Sequence, residues 1–329
     1  MLRIAFAGFR HSHILALYTA VLKSTCAKIV GAYEADAATR EKIERENGIC
    51  CTYNSYEVLL ADTSVDAVAI GDYYGARGAE VIAALENGKH VIADKPLCTT
   101  MAEAKEIRRL CEEKQLIVYL MLGLRFDPVF HAAKHLIEAG EIGKVTQITF
   151  GGQHPLLYGE RPSWYFEEGK YGGVMNDIAV HGVDIVRYMT GLSITRVLAA
   201  RAWNAYAVDA PAFLDSGIFM CELKNGAGML ADVSYSSPDS MRYAMPTYWE
   251  FTIWGLDGMI RFARNRSEIE LYKKTSNAVV KHLPIPVSCT MLEDFVACIE
   301  GKKETVLSRA EVLDATEATL KIQEKANSM

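Results

Sequence analysis

The sequence predicts a two-part α/β chain. Residues 1–122 form a doubly wound parallel sheet, and residues 123–329 an α+β part with a large, open, mostly antiparallel sheet. The first prediction rests on short apolar runs alternating with helix-patterned segments at the spacing of right-handed βαβ units. The second rests on a change of pattern after Gly123. There Asn225-Gly226 and Asp257-Gly258 separate apolar runs, and such dipeptides tolerate the positive φ of tight hairpins. A chain of 329 residues, half of them hydrophobic, is long enough for two cores.

The elements follow in order. Residues 2–8 are a strand ending at Gly8, and Ile14, Leu15, Tyr18, Val21 and Leu22 then mark one side of a helix. Residues 27–34 are a strand closed by Glu34, and 37–46 a charged, solvent-facing helix. Residues 65–70 are a strand, 78–87 a helix stopped by Gly88, and 91–93 another strand. A helix over 101–114 and a strand over 116–122 complete the first part. Beyond Gly123, 128–139 is a helix ending at Gly140. Met291, Leu292, Phe295, Val296 and Ile299 make one amphipathic face, and Ser308 with Glu311 forms a capping box opening the last helix. Residues 155–171, with two prolines and two glycines, are the longest irregular stretch and a candidate lid.

Composition narrows the function classes. A formal net charge of −6, with no basic run, argues against a nucleic-acid role. No apolar run has the length of a bilayer span. The N-terminus enters a strand without the basic start and cleavage site of a signal peptide. The eight cysteines lack CxxC spacing, a pattern of reduced thiols. The expectation is a soluble cytoplasmic protein with no assigned metal site.

Two stretches carry chemistry. In Lys89-His90-Val91-Ile92-Ala93-Asp94-Lys95-Pro96, a β-branched strand runs into a charged pair and stops at proline. Ligands of open α/β sheets sit at the carboxyl ends of strands, so Lys95 is a candidate catalytic group. The first strand–turn–helix is where a dinucleotide pyrophosphate would dock on backbone N–H groups. Its loop, Gly8-Phe9-Arg10-His11-Ser12-His13, keeps only the first glycine of a GxGxxG fingerprint. Either Arg10 and the histidines supplement the amides, or a Rossmann-like turn has weakened its cofactor binding. Glu34 ends the second strand, where a carboxylate would accept the ribose hydroxyls of NAD and repel the 2′-phosphate of NADP; the bland alternative is a solvated strand-end acid. Asp72, Tyr73 and Tyr74 follow the strand over 65–70 as candidate lining of the nicotinamide crevice, or as plain loop residues.

The second stretch is Gly172-Gly173-Val174-Met175-Asn176-Asp177-Ile178-Ala179-Val180-His181-Gly182-Val183-Asp184. Helical spacing puts Asp177 and His181 on one face, with Asp184 near it. A carboxylate beside an imidazole favours its protonated form, which suits a base that takes a hydroxyl proton. The alternative is a capping aspartate and a satisfied core histidine.

With those residues in view, the chain resembles the glucose–fructose oxidoreductase/inositol dehydrogenase/rhizopine-catabolism (Gfo/Idh/MocA) family. Asp94-Lys95-Pro96 resembles its Glu-Lys-Pro motif. Gly88-Lys89-His90-Val91, Arg125-Phe126-Asp127-Pro128, Gly140-Glu141-Ile142-Gly143 and Gly172-Gly173 with Asp177, His181 and Asp184 match its texture. The resemblance implies an N-terminal NAD(P)-binding Rossmann domain over 1–122 and a substrate-binding and dimerisation domain over 123–329. It implies oxidation or reduction of a secondary alcohol on a sugar, amino sugar or cyclitol, in homodimers or homotetramers built through the C-terminal sheet. Lys95 would stabilise the developing alkoxide, His181 take the hydroxyl proton, and Asp177 hold the substrate and tune the imidazole. Gly8, Phe9, Arg10, His11, His13, Glu34, Asp72, Tyr73, Tyr74, Asp94 and Lys95 would face the cofactor, with NAD(H) favoured over NADP(H). Arg125, His154, Arg161, Trp164 and Tyr165 are candidate substrate contacts beside the catalytic residues.

The chain departs from the family pattern at Arg10 and His13, at Asp72-Tyr73-Tyr74 with Arg77, and at Val174. The first alternative function is a regulatory protein of the same fold that senses a dinucleotide or sugar. The second is a metal-dependent hydrolase. His11-x-His13 resembles the metal-binding pair of amidohydrolases, and Lys95, His181 and Asp177 would complete the site. The missing barrel pattern in the second half stands against it.

Overall fold

The computed structural model describes residues 1–328 as two compact units. The first contains residues 1–121, 169–172 and 289–317. Its sheet is built from β1 (Leu2–Ala7), β2 (Ala27–Tyr33), β3 (Ala67–Ile70), β4 (His90–Ala93) and β5 (Val118–Leu120). The spatial order is β2-β1-β3-β4-β5, every pair parallel. β3 is buried at every position, as a strand covered on both faces must be. The crossovers are α1 (His13–Leu22), α2 (Ala37–Asn47), α3 (Tyr56–Ala61), α4 (Tyr74–Glu86) and α5 (Met101–Lys114). Asp36 caps α2 by accepting from the Thr39 N–H, and Gly48 closes it in the left-handed conformation. Thr100 and Glu103 form a reciprocal box at the start of α5.

Order reverses between β1 and β3, so the turns after these strands flank the switch point where ligands of such sheets bind. Gly8 holds φ +72°, and a Cβ there would fall 2.6 Å from the Asp72 backbone nitrogen. Only glycine allows that approach. One expectation needs correcting here. The helix after β3 starts at Tyr74 rather than Gly78, because Tyr73 is already its extended N-cap residue. Tyr74 and Arg77, expected in a loop, are therefore fully buried on a helix.

The second unit contains residues 122–168, 173–288 and 318–329. α6 (Pro128–Glu138) is followed by β6 (Val145–Pro155), α7 (Val180–Thr190) and β7 (Ile194–Trp203). β8 (Ser216–Leu223), β9 (Gly228–Ser237), β10 (Glu250–Gly255), β11 (Gly258–Ala263), β12 (Ile269–Lys273) and β13 (Val279–His282) complete an eight-stranded sheet. Its order is β13-β12-β11-β10-β6-β9-β8-β7, antiparallel except for the parallel pair β6–β9. Both predicted hairpins form, β8–β9 across Asn225-Gly226 and β10–β11 across Leu256-Asp257. One face is covered by α6 and α7. Phe130 meets the edges of Phe251 and Phe262 at 5.5 and 5.6 Å, and Gly182 lets α7 rest on the Phe150 ring.

α7 does not begin as the uninterrupted helix its spacing suggests. Met175–Ala179 is a π-helical turn, entered through Gly172 and Gly173 at positive φ. The Gln323 side chain accepts the N–H groups of Met175 and Asn176, which such a turn leaves without regular partners.

α8 (Met291–Ile299) and α9 (Arg309–Asn327) close the chain. The sequence pattern placed residues 289–317 in the second half, but they are part of the first unit. The apolar face of α8 is the reason: Phe295 packs on Tyr119 at 5.6 Å, and Asp294 accepts the Tyr119 hydroxyl at 2.8 Å.

Candidate functional site

In the first unit, candidate residues gather where β1, β3 and β4 end. Arg10 follows the Gly8 turn and is ringed by acids, 3.8 Å from Glu34, 3.5 Å from Asp36 and 3.5 Å from Asp72. Its guanidinium also lies over the Tyr73 ring, as does the Lys170 ammonium. Glu34 is fully buried. Its carboxylate accepts from the Phe9 N–H at 2.6 Å and the Asp36 N–H at 2.8 Å, and burial keeps its pKa above the usual range. The acid placed nearer solvent is Asp36, half-exposed at the start of α2. Glu80, which no local pattern signalled, is half-buried near Asp72, with one carboxylate oxygen out of reach of solvent. Burial, then the Asp72 charge, raises its pKa well above that of an ordinary carboxylic acid.

Lys95 stands just beyond β4, nearly buried, with its ammonium 3.3 Å from the Tyr74 hydroxyl. Arg77 donates to the main-chain oxygens of Asp72, Asp94 and Pro96, tying the turns after β3 and β4 together. Asp94 has no exposed surface. One of its oxygens accepts from the Lys95 N–H and faces His13 Nδ1; the other faces His11 Nδ1. Burial alone would raise the Asp94 pKa, but His11 and His13 hold it well below the usual range. Burial pushes the His11 imidazole down to about 4 against the opposing pull of Asp94. The structure therefore brings Arg10, Glu34, Asp72 and Tyr73 into one cluster, and His11, His13, Tyr74, Asp94 and Lys95 into another.

In the second unit, candidate residues gather at the end of β6 and around the π-helical turn. Asp177 is fully buried and accepts the Tyr235 hydroxyl in a short hydrogen bond. The His181 ring lies 5.8 Å from Trp249. The His154 Nε2 is 3.2 Å from the Tyr248 hydroxyl, and its ring meets Tyr235, Tyr243 and Trp249 at 5.7 to 6.2 Å. Burial raises the Tyr248 pKa to about 12, so it remains a neutral hydrogen-bonding phenol. Arg161 spends two donors on the main-chain oxygens of Pro155 and Leu156, and lies over Tyr165 and Tyr235 at 4.6 and 4.5 Å. Trp164 and Tyr165 stack with ring centroids 4.0 Å apart. The result is an aromatic recess with few polar groups, the usual composition of a small-molecule site.

Arg125 is fully buried and grips both oxygens of Asp184, with Nη2 2.7 Å from Oδ1. The pair braces α7 against the 3-10 turn at Gly123–Phe126 and presents no charge to solvent. Tyr235 in β9 and Tyr248 and Trp249 in the turn before β10 were missed in the sequence, since a lone aromatic carries no signal of its partner.

One unit with a parallel dinucleotide-type sheet and another with a large antiparallel sheet define the class: a two-part α/β protein of the NAD-binding Rossmann kind. Family comparison agrees. The "Oxidoreductase family, NAD-binding Rossmann fold" matches residues 2–122, and the "GFO/IDH/MocA C-terminal domain" matches residues 130–261. The chain belongs to the Gfo/Idh/MocA oxidoreductase family. It is similar to the scyllo-inositol 2-dehydrogenase (NAD(+)) of Bacillus subtilis, 31% identical over 64% of this chain and 61% of that protein. It is also similar to D-xylose 1-dehydrogenase (NADP(+)) 2 of Haloferax volcanii, 28% identical over 64% of this chain and 63% of that one. The chain thus spans less than two thirds of the length of these curated relatives. Its fold is that of an oxidoreductase from Agrobacterium radiobacter solved with NAD+, L-tartaric acid and magnesium. The TM-score is 0.80 at 21% identity, over 99% of this chain and 96% of that one.

Proposed function

We propose that the chain is a nicotinamide-dependent dehydrogenase acting on a secondary alcohol of a sugar, amino sugar or cyclitol. The observation that carries the reading is Lys95, held nearly buried by Tyr74 at the carboxyl end of β4 in an NAD-binding sheet. The crevice residues fit a dinucleotide. Gly8 admits close backbone approach, Arg10 offers a guanidinium for the pyrophosphate, and Asp36 offers a half-exposed carboxylate for ribose hydroxyls. When bound, the nicotinamide supplies the hydride acceptor or donor. Lys95 stabilises charge on the reacting oxygen, His181 takes the hydroxyl proton, and Asp177, fixed by Tyr235, holds the substrate. The half-exposed Asp36 carboxylate favours NAD(H), because a 2′-phosphate would meet it as a like charge. The named activities of the inositol and xylose enzymes support a polyol substrate and leave both dinucleotides in play.

In this reading residues 1–122 serve the cofactor and residues 123–329 the substrate and self-association. Ile218, Met220, Leu230 and Trp254 are exposed on the uncovered face of the eight-stranded sheet, which we infer pairs with a second copy. All eight cysteines are free thiols, and no helix of the described residues is long and apolar enough to cross a membrane. The free thiols support the cytoplasmic expectation.

Calorimetric titration with NADH and NADPH, followed by a polyol screen that includes scyllo-inositol and D-xylose, tests the reading. Tight NADH binding and turnover of at least one polyol are expected. No binding of either dinucleotide would overturn it, and binding without turnover across the screen would point to a sensor.

A further inference from the structure

Within the first unit a row of hydrogen bonds runs from Lys95 to the surface. The Lys95 ammonium is 3.3 Å from the Tyr74 hydroxyl, which is 3.2 Å from His11 Nε2. The other His11 nitrogen meets one oxygen of Asp94, whose second oxygen is 3.3 Å from His13 Nδ1. Tyr74 and Asp94 are fully buried and His11 nearly so, whereas the His13 side chain is 54% exposed. The row has an inner end and an outer end.

Its bonds also have a direction. Burial keeps His11 neutral at pH 7, since its pKa falls to about 4. A neutral imidazole has one N–H, and an ionised carboxylate only accepts, so the proton sits on Nδ1 toward Asp94. His11 Nε2 is then an acceptor, the Tyr74 hydroxyl donates to it, and the Tyr74 oxygen receives an N–H of Lys95. From Lys95 to Asp94 every donor points outward, and His13 Nδ1, the donor of the last bond, points back at Asp94. The groups facing His11 are Asp94, His13, Lys95 and Tyr74.

We propose that Tyr74, His11 and Asp94 are positioning residues that act through Lys95, relaying its proton to a His11–Asp94–His13 cluster that exchanges with water at His13. The proposal rests on the dehydrogenase reading and deepens it. In the oxidation, the substrate C–H bond breaks and gives hydride to the dinucleotide, and the O–H bond gives a proton. That proton has two exits, His181 or Lys95; on the second, Lys95 frees a lone pair for it by giving one of its own protons to the Tyr74 oxygen as the Tyr74 proton moves to His11 Nε2. The cluster gains one proton, which neutralises Asp94, and returns it to water. The cluster titrates as a unit. Lys95 thereby has a proton acceptor on its buried side in addition to His181 on the substrate.

The same three side chains have ligand atoms within 4.8 Å of one another, a spacing that could hold a metal ion. The charge around them disfavours it: Lys95 and Arg77 already flank Asp94, with Arg77 Nη1 2.9 Å from the Asp94 carbonyl oxygen. A metal would also need both Nδ1 atoms bare, which moves the His11 proton to Nε2. The two arrangements therefore differ in tautomer.

The test is long-range ¹H–¹⁵N spectroscopy of the histidine-labelled full chain, with metal analysis of the same sample. Expected are a His11 protonated on Nδ1 and no stoichiometric metal. In Tyr74→Phe and Lys95→Ala the His11 titration midpoint should rise by about half a pH unit or more, because each removes a group that favours the neutral ring. A His11 protonated on Nε2, a stoichiometric transition metal, or unmoved midpoints would overturn the proposal. With NAD+ and the polyol found in the screen, Tyr74→Phe should lower kcat roughly tenfold or more, with KM little changed and a larger solvent deuterium isotope effect. The slower His13→Ala should be rescued by added imidazole. Normal pH profiles and isotope effects in both variants would overturn the relay while leaving the dehydrogenase intact. If no polyol turns over, the dehydrogenase reading fails by itself, and the spectra alone decide the coupling.

Discussion

The candidate residues of the two units are built from different materials. Around β1, β3 and β4 the side chains are ionic: Arg10, Glu34, Asp72, Arg77, Glu80, Asp94 and Lys95, with two imidazoles and most of the charge buried. Around the end of β6 they are aromatic: His154 is surrounded by Tyr235, Tyr243, Tyr248 and Trp249, and Arg161 is spent on main-chain oxygens and ring faces. A half that meets a charged cofactor needs fixed charge, and buried charge must be paired, so its geometry is over-determined. A half that meets a neutral polyol needs flat apolar walls and a few hydrogen bonds. Evolution can alter the second half ring by ring, whereas changes in the first propagate through the network.

That contrast can be broken or sharpened by mutation. The largest effect should come from the one fully buried ion pair of the second unit described above. Arg125→Ala leaves Asp184 uncompensated and should cost about 3–5 kcal/mol of stability, measured by urea unfolding. A loss under about 1 kcal/mol would show the pair to be dispensable. Next, Lys95→Ala should leave dinucleotide affinity within several-fold while lowering turnover by about 10²–10³. Unchanged turnover would remove Lys95 from the chemistry.

A third effect is on the pH dependence of stability. The His11 pKa falls from 6.5 in the unfolded chain to about 4 in the fold. Between those values the unfolded state binds more protons, so this contribution is present above about 6.5 and is lost as the pH falls toward 4. It should remove about 2 kcal/mol between pH 7 and pH 5. His11→Gln should flatten that slope, and a variant with the same slope as the wild type would refute the assignment. The smallest effect belongs to the aromatic half. His154→Ala should raise KM several-fold with less change in kcat, and the reverse split would move His154 into the chemistry.

Much of the fold was legible because its signals are local. Alternating strands and helices, Gly88 and Gly140 at helix ends, the Ser308–Glu311 box and two hairpin dipeptides each act within a few residues. Legible too was a lysine at the end of a strand that had no local use for one. Less legible was what surrounds each candidate. Glu34 looked like the acceptor of ribose hydroxyls, or else a solvated strand-end acid, yet its carboxylate is closed over by the N–H groups of Phe9 and Asp36. Arg125 looked available for substrate, yet its partner Asp184 lies 59 residues away. Asp177 looked like one turn of regular helix from His181, yet Gln323 holds it in a π-helical turn.

By itself, then, the sequence determined the periods of burial, the parallel and antiparallel parts, the turns, and the residue types available at strand ends. Tertiary structure alone decided which charges are buried and what neutralises them. Asp94 meets His11 and His13 across 83 and 81 residues, and Tyr235 meets Asp177 across 58. The physical reason is range. Backbone preferences and hydrophobic period are written over a few residues, whereas desolvation and charge pairing depend on neighbours that the chain brings together only when it folds.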